Sequence, residues 1–107
     1  MKHAMNILGA AALASTILVG MTAQAQDGAQ LFVSKACIAC HGVEGKQPIN
    51  DNTPKLAGQN KGYLMTQLQD IKSGARNNGQ TAQMKPIVAN LSDHDIEAIT
   101  EYLSLLQ

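Results

Sequence analysis

The sequence predicts an all-α domain, a small bundle of three main helices joined by long loops, and three observations carry that prediction. Apolar residues recur at three- and four-residue steps in two well-separated stretches, Tyr63-Leu64-Leu68-Ile71 and Ile96-Ile99-Leu103-Leu106, the spacing that lines one helix face. Residues that start and stop helices flank both stretches. No run alternates apolar and polar side chains as a half-buried strand would.

Taken in chain order, the first element is a leader. Lys2 and His3 precede an apolar run from Ile7 to Met21 that ends in Ala23-Gln24-Ala25, the order of a secretory signal with a small-residue cleavage site. Residues 1–25 are therefore expected to be removed after Ala25, leaving residues 26–107 as one exported domain. No cysteine stands near that site to be acylated, and Asn6, Ser15 and Thr16 interrupt the apolar run, so a cleaved leader is favoured over a membrane anchor. The first helix is expected to open at Asp27, a good N-cap residue, and to run to about Ala36 with Leu31 and Phe32 apolar. The second runs from about Asn60 to Ser73 and stops at Gly74, the residue type favoured just past a helix end. The third has the clearest start: Ser92 caps it, Asp95 is a capping-box partner, and Leu91 can staple to Ile96. Gly42–Gln59 and Gly74–Asn90 are left as loops, long enough that something must order them.

Composition narrows what that something is. Of 107 residues 45% are hydrophobic but only 3% aromatic, with no Trp, so the side chains that usually fill a small core are scarce. Lysine plus arginine equals aspartate plus glutamate at eight each, giving a net charge of zero, which argues against nucleic acid as a partner. The only two cysteines stand three apart in Cys37-Ile38-Ala39-Cys40-His41, too close to staple a fold. This is the C-x-x-C-H signature of covalent c-type haem attachment. Two thiols at that spacing reach the two vinyl groups on one porphyrin edge, and the adjacent His reaches the iron. A thiol-disulfide pair, half of a zinc site and chance are the other readings. A redox pair wants a strand before it and a helix after it around an electropositive thiolate, and a structural zinc site wants a second ligand pair; neither is found. One covalently attached haem c is the expected cofactor.

The opposite axial position has few candidates: Met65, Met84, His94 and the lysines. Met65 falls in the second helical stripe, where packing explains it. His94 falls in the first turn of the third helix as a surface residue. Met84 lies in a stretch without periodicity that a loop could bring to an iron, so His41 and Met84 are the expected iron ligands.

The residues then resemble a known family, the class I cytochromes c of bacteria, and among them the small single-haem forms related to cytochromes c4, c5 and c553. The matching pieces are Leu31-Phe32 and Lys35 before Cys37-x-x-Cys40-His41-Gly42; Pro54-Lys55-Leu56-Ala57-Gly58-Gln59; Tyr63-Leu64 with Gln67-Leu68; Gly74-x-Arg76; and Met84 with Asn90-Leu91-Ser92-Asp93-x-Asp95-Ile96 and Tyr102-Leu103. The resemblance implies that first and last helices cross, Gly28 and Phe32 meeting the Ile99, Tyr102 and Leu103 region. It also implies that the Pro54 carbonyl accepts the His41 imidazole proton, and that Tyr63 and Arg76, with help from Gln59, bond the haem propionates.

An iron held by His41 and Met84 has no open position for substrate, so the expected function is one-electron transfer rather than catalysis: not an enzyme, but a periplasmic electron carrier with no small-molecule substrate. Its partners would be redox proteins docking transiently at the haem edge near Ile38, Ala39 and Gly42–Gly45, with membranes reached only through partner complexes. Lys35, Lys46 and Lys85 form a candidate local patch for steering. Two further readings stand beside it: a dedicated haem subunit of a periplasmic oxidoreductase, and a ligand-binding haem protein if Met84 is off the iron.

Overall fold

The computed structural model describes residues 20–107, and among them the regular elements are helical. Five α-helices follow in order: α1 (Ala23–Ser34), α2 (Cys37–His41), α3 (Lys61–Ser73), α4 (Thr81–Val88) and α5 (Asp93–Ser104), with a 3₁₀ turn at Val43–Gly45. Most of the expected leader lies outside the described residues.

α3 and α5 form where the sequence places them. The Asn60 side chain caps α3 by accepting from the Tyr63 N–H, and Gly74 ends it in the left-handed conformation at φ 91°. Ser92 and Asp95 make a full capping box: the Ser92 hydroxyl accepts from the Asp95 N–H at 3.1 Å and Asp95 accepts from the Ser92 N–H at 3.0 Å. Leu91 and Ile96 both enter the core, as a staple requires. Replacing Ser92 with Ala should cost about 1 kcal/mol of stability, read as a lower denaturation midpoint with an unchanged slope.

The cap also carries a pH dependence. The Ser92 N–H bond holds the Asp95 carboxyl below its ordinary pKa of 3.8; partial burial opposes this, while the Ser92 hydroxyl, Lys35 and His94 add to it. Because the folded value lies below the unfolded one, the contribution is present above pH 3.8 and fades as pH falls through the folded value. Asp95→Asn should therefore flatten the acid limb of the stability curve in an acid titration, and leave its alkaline limb unchanged.

Two expectations are corrected. α1 starts at Ala23 rather than Asp27: Thr22 caps it by accepting from the Ala25 N–H at 2.9 Å, and it ends at Ser34 instead of Ala36. Ala36 instead turns left-handed at φ 68°, redirecting the chain into α2. The expected cleavage tripeptide Ala23-Gln24-Ala25 thus forms the first turn of α1, with Ala25 fully buried. The second correction concerns 74–90, which is not a continuous loop. Residues 81–88 form α4, with Met84 on it and Pro86 in its last turn. Proline there forfeits one donor and leaves the rest of a two-turn helix intact, while buried Thr81 and Val88 and half-buried Met84 share one side.

α1 crosses α5 with no room to spare. A Cβ on Gly28 would stand 2.0 Å from the Ala98 carbonyl oxygen and 2.7 Å from the Tyr102 Cβ, so only glycine allows the helices this close. Phe32 packs on Tyr102 with ring centroids 6.0 Å apart at 53°, and full burial of that phenyl ring contributes about 2–3 kcal/mol. α3 closes over the same core through Leu64 and Ile71. Lys61 at its start reaches Glu97 and Glu101 of α5 at 2.6 and 3.1 Å.

Candidate functional site

Core residues of all the longer helices share one wall: Phe32 of α1, Leu64 and Ile71 of α3, Val88 of α4, and Ile99 and Leu103 of α5 are buried in the core and also line a cavity of about 870 Å³. Protein interiors are close-packed, and an apolar void that large would cost on the order of 20 kcal/mol if left dry, more than the net stability of about 5–15 kcal/mol that a domain has. The walls therefore suit a large apolar body. At the mouth the lining turns polar, with Asn50, Asn52, Thr53, Gln59, Arg76 and Asn77, a rim suited to an occupant with charged or polar ends. Two large exposed side chains, Ile49 at 62% and Tyr63 at 54%, also belong to the lining, so a group seated there would cover them.

The C-x-x-C-H pentapeptide supplies the reactive floor. It folds as α2, placing Cys37, Cys40 and His41 all on the cavity. The left-handed Ala36 enters it and Gly42, at φ 82°, leaves it. A Cβ on Gly42 would meet the Gln47 carbonyl oxygen at 2.2 Å, so the return of the chain beneath the pentapeptide requires glycine. His41 is 5% exposed. Its Nδ1 lies 2.8 Å from the Pro54 carbonyl oxygen, which fixes the tautomer with Nδ1 donating and Nε2 bearing the free lone pair. Burial holds the imidazole below its ordinary pKa, with the Pro54 bond acting in the opposite sense, so the ring is neutral and fit to ligate a metal.

Burial also pushes the Cys37 thiol up to about 11. A nucleophilic thiol of an exchange couple needs its pKa lowered by cationic or helix-terminal surroundings, and Cys37 has the opposite environment. Among the described residues no cluster of three or more His, Cys, Asp or Glu could hold a metal ion. The thiol-exchange and zinc readings of the pair both lose support.

The other site residues divide cleanly. Met84 lines the cavity from α4, whereas Met65 packs against the core outside the lining and His94 is exposed on α5. Pro54, Gln59, Tyr63 and Arg76 all line the cavity. Tyr63 and Gln59 make no hydrogen bond through their side chains to other described residues, but Arg76 donates from Nη1 to the Gln67 Oε1 at 3.0 Å. Gln67 also lines the cavity and was not singled out by the sequence as a site residue; its spacing of four from Tyr63 on one helix face is the signal that could have marked it. Of the three lysines of the candidate patch, Lys35 bonds the Asn90 carbonyl and faces Asp95 at 3.9 Å, Lys46 faces Glu44 at 3.4 Å, and Lys85 is exposed.

The residues present thus fit a covalently bound haem: paired thiols, an oriented neutral histidine and a thioether around an apolar cavity with a polar mouth. Comparison with known proteins agrees. A family model described as Cytochrome c matches residues 25–107. Cytochrome c4 of Pseudomonas aeruginosa is 40% identical over 101 residues, covering 94% of this chain and 48% of its own. The thiosulfate dehydrogenase electron acceptor of Stutzerimonas stutzeri is 36% identical over 99 residues, covering 86% of this chain and 44% of its own. The crystal structure of reduced recombinant cytochrome c4 from Pseudomonas stutzeri superposes with a TM-score of 0.70 at 35% identity, over 79% of this chain and 49% of that one. The chain spans about half the length of these relatives. On fold, motif and these likenesses together, the chain belongs to the cytochrome c family, as a small all-α protein of the class I type whose cofactor is covalently bound haem c.

Proposed function

We propose that this chain is a single-haem electron carrier, exported to the periplasm, that passes one electron at a time between redox proteins and is not itself an enzyme. The observation that carries the proposal is that His41 and Met84 line one cavity, with His41 already oriented by Pro54. Cys37 and Cys40 would hold the group through two thioethers, and His41 and Met84 would ligate its iron. The chemistry supplied by a bound haem is reversible one-electron exchange between ferric and ferrous iron. A thioether ligand such as Met84 would favour the ferrous state. The apolar walls from Phe32, Leu64, Ile71 and Ile99 exclude water and keep reorganisation on electron exchange small, while the exposed Cys40 and Ala39 leave an edge where a partner can approach.

The test is a potentiometric titration of protein exported from a host that attaches haem c. The expected result is a haem that survives denaturing electrophoresis and titrates as one single-electron wave. Loss of the haem on denaturation, or a wave of more than one electron, would count against it.

Export and processing belong to the same proposal. No helix among the described residues is long and apolar enough to cross a membrane. Cleavage after Ala25 would remove the Thr22 cap and the first turn of α1, leaving Asp27 to cap the shortened helix. The exported protein is expected to begin at Gln26 by intact mass; a mass that retains Thr22 to Ala25 would move the boundary upstream.

A second reading has one observation in its favour: a relative with 36% identity is named as the electron acceptor of thiosulfate dehydrogenase. A haem subunit dedicated to one periplasmic oxidoreductase would co-purify with that enzyme, whereas a free shuttle would not.

A further inference from the structure

Of the asparagines among the described residues, only Asn78 precedes a glycine. The structure sets it apart as well. Asn50 accepts from the Asn52 N–H at 2.9 Å, Asn60 caps α3 through the Tyr63 N–H at 3.0 Å, and Asn90 donates to the Pro86 carbonyl at 3.3 Å. The Asn78 side chain, by contrast, is exposed and bonds no other described residue. Gly79 follows it in the left-handed conformation at φ 54°, with open space where a Cβ would stand, and its N–H donates to no described residue. The pair forms the exposed bend between Arg76 and α4, where Asn78 belongs to the cavity lining and Gly79 does not. A side-chain amide thus stands beside a main-chain nitrogen that neither a hydrogen bond nor a neighbouring side chain shields.

We infer that Asn78-Gly79 is a site of spontaneous covalent modification that places a new carboxylate at the mouth of the cavity. The Gly79 main-chain nitrogen, its proton taken by solvent base, attacks Asn78 Cγ; the N–Cγ bond forms as the Cγ–Nδ2 bond breaks, and the amide nitrogen leaves as ammonia. The product is a five-membered cyclic imide. Water then opens it at either carbonyl. Attack at Cγ restores the peptide bond and leaves an aspartyl side chain; attack at the main-chain carbonyl carbon leaves the chain running through Cγ, one methylene longer, with the carboxylate on Cα. No electrons are exchanged, and either product carries one more negative charge than the amide. Glycine matters at the second position because a Cβ would crowd the attacking nitrogen and restrict the turn that the ring needs. The lengthened product also alters the entry to α4: the Asn78 carbonyl that accepts from the Thr81 N–H at 3.1 Å becomes a free carboxylate off the main chain. The exported protein therefore accumulates a more acidic form with age. The chemistry needs neither haem nor partner, so it stands apart from the haem reading.

The experiment incubates the exported, haem-loaded protein for weeks at neutral and at mildly alkaline pH, then follows each asparagine by peptide mass spectrometry with the aspartyl and β-linked forms separated by chromatography. The peptide spanning Asn78 is expected to gain about 1 Da as the amide is replaced by a carboxylate, and to do so faster at the higher pH, where more of the attacking nitrogen is deprotonated. Asn52 and Asn77, also exposed but followed by Thr53 and Asn78, should stay unchanged over the same period. Gly79→Ala should slow the conversion on the order of tenfold. Asn78→Gln, which keeps Gly79 and its turn, should abolish it, because the longer side chain would have to close a six-membered ring. The inference is overturned if Asn78 stays intact in the folded protein while the same segment converts in urea, because the fold then protects it. It is equally overturned if Asn52 and Asn77 convert as fast as Asn78, or if Gly79→Ala converts at the wild-type rate.

Discussion

Gly28→Ala should remove a large share of the stability of the fold, lowering it by about 3 kcal/mol or more. A Cβ at that position stands 2.0 Å from a backbone oxygen of Ala98, and the atom it meets is main chain rather than the end of a flexible side chain, so one helix as a whole must move to relieve the clash. Separating α1 from α5 by the needed ångström or more would also loosen Phe32 from Tyr102 and expose Ile99 and Leu103, so the cost exceeds that of a single overpacked side chain. For a domain of this size that corresponds to a fall in melting temperature of roughly 12 °C or more. Gly62→Ala is the control: it lies inside α3 and meets only the Asn60 side-chain oxygen, at 3.2 Å, so the helical preference for Ala should leave stability within about 1 kcal/mol of wild type. Thermal melts of the haem-loaded variants decide the matter. Equal melting temperatures for the two would mean that the α1–α5 contact is more plastic than its geometry implies.

The second large effect is chemical. Met84→Ala should leave the covalent haem in place, since Cys37, Cys40 and His41 are untouched, but open one axial position on the iron. Carbon monoxide should then bind the reduced variant readily and wild type poorly. The reduction potential should fall, because the soft thioether that favours ferrous iron is gone. Met65→Ala is the matched comparison: that side chain packs against the core outside the cavity lining, so the variant should lose stability without gaining carbon monoxide binding. If Met65→Ala opens the iron and Met84→Ala does not, the ligand assignment is reversed.

How much of this was legible in the sequence depends on how local the cause is. α3 and α5 were readable almost to the residue because their signals are local: a cap side chain, a terminating glycine and an apolar stripe all lie within the element. The crossing of Gly28 with the last helix followed from resemblance to a family, and the geometry gives its physical reason. α4 was missed because its stretch is rich in Gln and Asn, lacks a side-chain cap at Gln80 and contains Pro86; its helix is stabilised by burying Thr81 and Val88 against the rest of the molecule, which a local pattern does not record. The start of α1 was missed for another reason: Thr22 and Ala25 read as the end of a leader, yet in this chain they also satisfy a helix cap and fill a core position. At the site, the reactive pentapeptide was visible from spacing alone. The Gln67–Arg76 contact was not, because it exists only after Gly74 reverses the chain.

The most direct test of a closed, His41- and Met84-ligated iron is one absorption spectrum of the oxidised exported protein carried into the near infrared, followed by reduction under carbon monoxide. The expected result is the weak methionine-to-ferric-iron band together with a reduced spectrum that carbon monoxide leaves unchanged. Absence of that band with ready carbon monoxide binding would contradict it, taking Met84 off the iron and electron carriage with it as the leading function.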